Sequence, residues 1–113
     1  MKHNYFKHLF AALLLLFATV ATAHDVEVDG FYYNILPGGY GTVEVTYKGT
    51  SFNEYSNEYT GDVVIPNSVT YNGSTYSVNR IGERAFSYCS GITSVVIPKS
   101  VASVENYAFS GCI

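Results

Sequence analysis

Apolar and polar positions fall into three regimes along the chain. From Leu9 to Val20 the residues are almost uninterruptedly apolar, preceded by Lys2 and Lys7 and followed by the small residues Ala21-Thr22-Ala23. A basic start, a short apolar stretch and small residues at its end are the pattern of a secretory signal peptide. Cleavage is expected after Ala23. As a helix this twelve-residue stretch reaches only about 18 Å, short of a hydrocarbon core of roughly 30 Å, which argues against a membrane anchor. In the second regime, Gly30 to Leu36 and Thr42 to Tyr47 are β-prone runs separated by the turn-forming cluster Pro37-Gly38-Gly39-Tyr40-Gly41, and an antiparallel hairpin is predicted. Asp25, Glu27 and Asp29 alternate with Val26 and Val28, as on the solvated face of a strand. Ser51 to Gly61 is polar, rich in Tyr and predicted to be loop.

The third regime is periodic. Ile81 to Cys89 aligns with Val104 to Cys112 at an offset of 23, sharing an aliphatic residue, three variable ones and Ala-Phe-Ser-x-Cys. Val95-Val96-Ile97-Pro98 echoes Val63-Val64-Ile65-Pro66 at an offset of 32. The extra nine residues surround Asn72-Gly73, a strong two-residue hairpin signal, so the first repeat carries an inserted hairpin. A period of 23 falls in the leucine-rich-repeat range, with one short strand and one helical or 3₁₀ turn per coil. Val95 and Ile97 are predicted to face inward with Val96 outward, and Pro98 ends the ladder for want of an N–H. Val101 and Val104 re-enter the core, while Ala85-Phe86 and Ala108-Phe109 line the inner face of the turn, phenylalanine on phenylalanine. The predicted core is thus Ala85, Phe86, Cys89, Ile92, Val95, Ile97, Val101, Val104, Ala108, Phe109 and Cys112.

From Ala85 to Val101 the pattern Ala-Phe-x-x-Cys-x-x-Ile-x-x-Val-x-Ile-Pro-x-Ser-Val resembles the BspA-like leucine-rich repeat of bacterial surface proteins. The resemblance covers roughly Gly61 to Ile113, and Asp25 to Thr60 is similar to the β-rich leader that often precedes such repeats in Bacteroidetes proteins. The fold expected is a leucine-rich-repeat solenoid, mostly β with short helical or 3₁₀ turns, of about one and a half repeats. Its parts are a signal peptide over 1–23, a β-hairpin cap over 24–60 and repeats over 61–113. The cap would cover the open N-terminal edge of the first coil. Ile113 falls inside the second clear coil, so further coils are expected, and the open C-terminal edge is expected to self-associate.

Charge and composition narrow the function. Without residues 1–23 the chain holds four basic and nine acidic residues, a net charge of −5. Lys48, Arg80, Arg84 and Lys99 are scattered along it, which argues against a nucleic-acid surface and a basic membrane stripe. Cys89 and Cys112 share a phase in a chain bound for an oxidising compartment. Equivalent residues of stacked coils lie about 4.8 Å apart, so a disulfide is within reach, whereas parallel side chains favour a ladder of buried free thiols. No His neighbours either Cys and no Cys-x-x-Cys occurs, so no metal site is predicted.

His24 is the one histidine after residue 23. An amino-terminal copper chelate of the histidine-brace kind needs a second His, and a hydrolytic triad needs an internal base. Gly38-Gly39-Tyr40-Gly41 opens no helix and reads as a turn rather than a phosphate loop. No enzyme activity and no cofactor are expected. Tyrosine is abundant: ten of the eleven follow residue 23, and Trp is absent. Tyr32, Tyr33 and Tyr47 suit sheet faces, while Tyr55, Tyr59, Tyr88 and Tyr107 are the candidate ligand contacts. The expectation is a secreted or surface-displayed, non-catalytic binding module for a protein or glycan. The resemblance implies adhesion, to host extracellular-matrix proteins among others. The alternative is a structural cap of a larger surface protein whose functional region lies downstream.

Overall fold

The computed structural model describes residues 24–49, 51 and 58–112. The expected signal peptide over 1–23 and the candidate contact Tyr55 lie outside the described residues. The leader folds as a three-stranded meander rather than a two-stranded hairpin: β1 (Val26–Val28), β2 (Phe31–Ile35) and β3 (Thr42–Thr46). The alternation of valine and acid from Asp25 to Asp29 forms the additional strand. Asp29 and Gly30 both take positive φ (50° and 83°), as a two-residue turn that follows strand twist requires. Val26 pairs with Tyr33, and Tyr33 in turn with Val45.

The repeats contribute β4 (Gly61–Val64), β5 (Ser68–Tyr71), β6 (Ser74–Ile81), β7 (Ile92–Val96) and β8 (Ser103–Val104). β5 and β6 form the inserted hairpin, with Asn72 and Gly73 at φ 51° and 78°. β6 is the hub of the larger sheet. On one side it takes β3 in parallel, Val43 opposite Val78 and Val45 opposite Ile81, with a bulge after Val43. On the other it takes β5, and β8 in parallel through Ile81 and Val104. β4 and β7 make a separate two-stranded parallel sheet, Asp62 opposite Ser94 and Val64 opposite Val96.

Backbone pairing and side chains together weld the leader to the first repeat. Arg80 Nε donates to Glu44 Oε1 at 2.9 Å across β3 and β6, and Asn34 donates to the other carboxylate oxygen. Beyond β6 the chain passes so close to β3 that Gly82 N–H donates to the Val45 carbonyl at 2.8 Å. A methyl group on Gly82 would stand 2.9 Å from that carbonyl and from the Glu44 carboxyl carbon, so no larger residue fits without a shift.

The segments that close each repeat are not helical. Between β6 and β7, Ala85 N–H bonds to Gly82 O, Ser87 to Arg84 O and Cys89 to Phe86 O, each at 3.1 Å. Arg84 and Tyr88 have positive φ (59° and 61°), which an α- or 3₁₀-helix does not allow. The result is a succession of tight turns, the first and last with a left-handed residue at the third position. The second repeat copies it, with the same bonds at Ala108, Ser110 and Cys112 and positive φ at Tyr107 and Gly111. Among the described residues there is no helix.

Packing follows phase. Ala85, Phe86, Cys89 and Ala108 are buried, and Ile92, Val95, Val101, Phe109 and Cys112 are partly buried against the same core. Phe86 and Phe109 stack face to face, 5.1 Å between centroids and 1° between planes. Hydrogen bonds from Phe86 N–H to Ala108 O (2.7 Å) and from Tyr88 N–H to Ser110 O (2.8 Å) tie the turns of the two repeats together. Ile97 and Val104, expected in the core, are exposed instead. Their phase is inward, since the equivalent Ile65 and Ile81 are 2% and 0% accessible, yet Ile97 and Val104 reach 44% and 48%. β7 and β8 are the outermost strands of their sheets at that end, and among the described residues nothing packs on their far side.

Burial of equal side chains at unequal depth predicts unequal costs. Phe86→Ala should destabilise by about 3–5 kcal/mol, the range for a fully buried Phe, and Phe109→Ala by distinctly less. Urea unfolding of the two variants measures this, and equal losses would contradict the neighbour-dependent burial.

Candidate functional site

Strand alternation traced back from Ile65 through Val63 and Gly61 puts Tyr59 on the inward side. There it is 5% accessible and sits among aromatic rings, 4.6 Å from Phe86, 5.5 Å from Phe31 and 5.7 Å from Tyr32 by centroids. Its hydroxyl donates to the Thr46 carbonyl at 2.8 Å and accepts from Tyr32 N–H at 3.1 Å. Tyr59 is therefore a core joint between leader and first repeat, not the ligand contact expected. Burial pushes its phenol well above the usual tyrosine range, with the Glu58 carboxylate adding to the shift. Tyr33 is pushed up to about 12 by burial and then by Asp29.

Tyr88 and Tyr107 do reach the surface, at 49% and 61% accessible. Both stand at left-handed positions of the tight turns, where the side chain is thrown outward. Backbone strain of this kind costs on the order of 1–3 kcal/mol per residue and is relieved by Gly. The two repeats superpose these positions. Arg84 lies over Tyr107, its guanidinium carbon 4.7 Å from the ring centroid, the geometry of a cation–π contact. Tyr88 lies over Gly111, where an added methyl would come within 2.8 Å of its ring. Arg84 also makes a loose ion pair with Glu83 at 3.8 Å, which in exposed surroundings contributes little. Tyr88, Arg84 and Tyr107 thus form one aromatic and cationic ridge along the turns. Arg84, which sequence reasoning treated only as a scattered charge, belongs to this ridge through the offset of 23 that superposes it on Tyr107.

The remaining reactive groups are dispersed. Cys89 and Cys112 are free thiols. Cys112 Sγ donates to the Phe86 carbonyl at 2.8 Å, and Cys89 Sγ to that of Ser87 at 3.8 Å. Burial raises both thiol pKa values, which suppresses the reactive thiolate. Asp62, on β4, accepts from Thr93 Oγ1 and Ser94 Oγ at 2.7 Å each, and these bonds hold its carboxyl below the usual range. His24 packs edge-on to Tyr32. Among the described residues no three His, Cys, Asp or Glu side chains are grouped to hold a metal ion.

Residues 53–113 match the sequence profile of the BspA type leucine rich repeat region (6 copies). The chain belongs to this family. Two solved structures are similar to it: a leucine-rich repeat protein from Bacteroides ovatus, at 35% identity and TM-score 0.65, and one from Bacteroides capillosus, at 32% identity and TM-score 0.59. They cover 79% and 77% of this chain, which spans 21% of the first protein and 58% of the second. No curated protein matches. BspA-type leucine-rich-repeat proteins are typically secreted or surface-located, and their repeats generally bind other proteins. Among the described residues no helix is long and apolar enough to cross a membrane.

Two outcomes follow from the buried groups. Unfolded tyrosine ionises near pH 10, whereas folded Tyr59 and Tyr33 keep their protons to higher pH. Their contribution is complete below about pH 10 and is lost as pH rises from there toward 12, because only the unfolded state releases protons in that window. Urea midpoints should begin to fall above about pH 8.5, where the unfolded thiols ionise, and fall more steeply above about pH 10, and Tyr59→Phe should flatten the steeper part. Thiol titration of unfolded, unreduced chain should find two free thiols per molecule; finding none would replace the free ladder with a bridge.

Proposed function

We propose that this chain acts as an exported, non-catalytic leucine-rich-repeat binding module that engages its partner through the ridge of Tyr88, Arg84 and Tyr107. The observation that carries the reading is the exposure of two large tyrosines, one of them under the half-buried guanidinium of Arg84, at strained turn positions where Gly would cost less. Tyr loses little conformational freedom on binding and Arg presents a planar fork of donors, and both offer apolar as well as hydrogen-bonding contact, which is why they are enriched at binding surfaces. Family membership supports a protein partner, and the flat aromatic faces equally suit a sugar ring. Adhesion to host matrix proteins or to other cells is the biological setting that the family suggests. In this reading residues 1–23 are removed on export, 24–60 form a β-rich cap and 61–113 begin a solenoid.

A second reading has its own support. β3 extends the repeat sheet at one end, and the chain spans only part of both similar proteins. These residues would then serve as the N-terminal cap of a longer array, with contact residues lying in later repeats.

The two readings separate in one assay. The full chain should bind at least one member of a panel of immobilised extracellular-matrix proteins and glycans. Tyr88→Ser combined with Tyr107→Ser should weaken that binding about tenfold or more while the melting temperature stays within a few degrees. Binding that survives the double substitution would move the contact away from the ridge. Absence of binding by this chain, with binding by a longer array, would establish the cap reading.

A further inference from the structure

The leader treats the two sheets of the repeats differently. It extends the larger sheet through β3 but supplies no strand to the smaller one, where β4 pairs only with β7 among the described residues. Gly61 N–H bonds to Gly91 O and Ile65 N–H to Val96 O, so these residues turn their backbone groups toward β7. Successive residues of a strand present their N–H and C=O to opposite edges. Asp62 and Val64 therefore direct theirs to the edge away from β7.

That edge borders a trough. A hollow of 470 Å³ has Phe31, Val64, Pro66 and Val69 for walls and Asp29 at its lip. A second, of 210 Å³, shares Phe31 and Val64 and adds Glu58 and Asp62. The exposed Val64 lines both. Two exposed carboxylates, Asp29 and Asp62, stand at the trough, and none of Lys48, Arg80, Arg84 and Lys99, the four cations after residue 23, lines it. An unpaired strand edge is a template for another chain, an apolar trough accepts alternate side chains of an added strand, and a carboxylate rim selects cations.

We propose that the open edge of β4 receives an extended cationic peptide as an added strand. Its apolar side chains enter the trough at Phe31 and Val64, and its basic side chains meet Asp29 and Asp62. This surface is separate from the tyrosine ridge on the turns and does not depend on it.

The probes are two end-blocked heptapeptides, one alternating Lys and Val and the other alternating Glu and Val, each titrated against the full chain. The lysine peptide should bind about tenfold or more tightly than the glutamate peptide and lose affinity as salt is raised. Its binding should protect the Asp62 and Val64 amides from hydrogen exchange. Asp29→Asn with Asp62→Asn should weaken it about tenfold. Val64→Lys, at an exposed side chain, should weaken it similarly, and Tyr107→Ser should leave it unchanged. The proposal is overturned if neither peptide binds, if both bind alike, if the two amides gain no protection, or if the substitutions on β4 have no effect.

Discussion

A residue that faces inward in one repeat is buried by the repeat that follows, not by its own. Ile65 and Ile81 lie beneath the strands of the second repeat, and Phe86 lies beneath Phe109. A single repeat closes neither face of its core, so stability accumulates from contacts between neighbours. The first repeat meets this constraint on both sides, with the second repeat on one and the leader on the other. Tyr59 is the fastening on the leader side, filling the space beside Phe86 with a ring while its hydroxyl serves the backbone of both β2 and β3.

The same constraint sorts inner from outer chemistry. Once Cys89, Phe86 and Ala85 are committed to stacking, variation is left to the left-handed positions of the turns and to the outward faces and edges of the strands. The ridge of Tyr88, Arg84 and Tyr107 occupies the first, and the open edge of β4 the second. Strained turns project large side chains into solvent at a cost the stacked repeats absorb.

Much of this was legible in the sequence because the repeat speaks through period. The offset of 23 located the stacked phenylalanines and the equivalent, unbridged cysteines, and Asn72-Gly73 located the hairpin. The tight turns were misjudged as helical, since Arg84 and Tyr88 do not advertise a left-handed backbone as Gly does. Gly111, at the phase of Tyr88, was the one local sign. Tyr59 was misplaced because it lies before the recognisable repeat, where polar neighbours disguise the strand alternation. Ile97 and Val104 have the right phase for burial, but phase fixes direction and not the presence of a neighbour. The pairing of β3 with β6 joins segments more than thirty residues apart across a bulge, and no short-range pattern encodes such a register. Of the candidate contacts, Tyr88 and Tyr107 lie on the surface as their variable positions suggested, and Arg84 joined them only in three dimensions.

Gly82 marks the point where β3 crosses closest to the first repeat, and the second repeat has Glu105 at the same phase. The two repeats are consequently not interchangeable. A duplicated unit carrying a glutamate at that phase could not be spliced in directly against the leader, whereas one inserted after the second repeat would meet only its own kind. A repeat array built on this leader therefore accepts a further copy of the second repeat more readily away from the junction than against it.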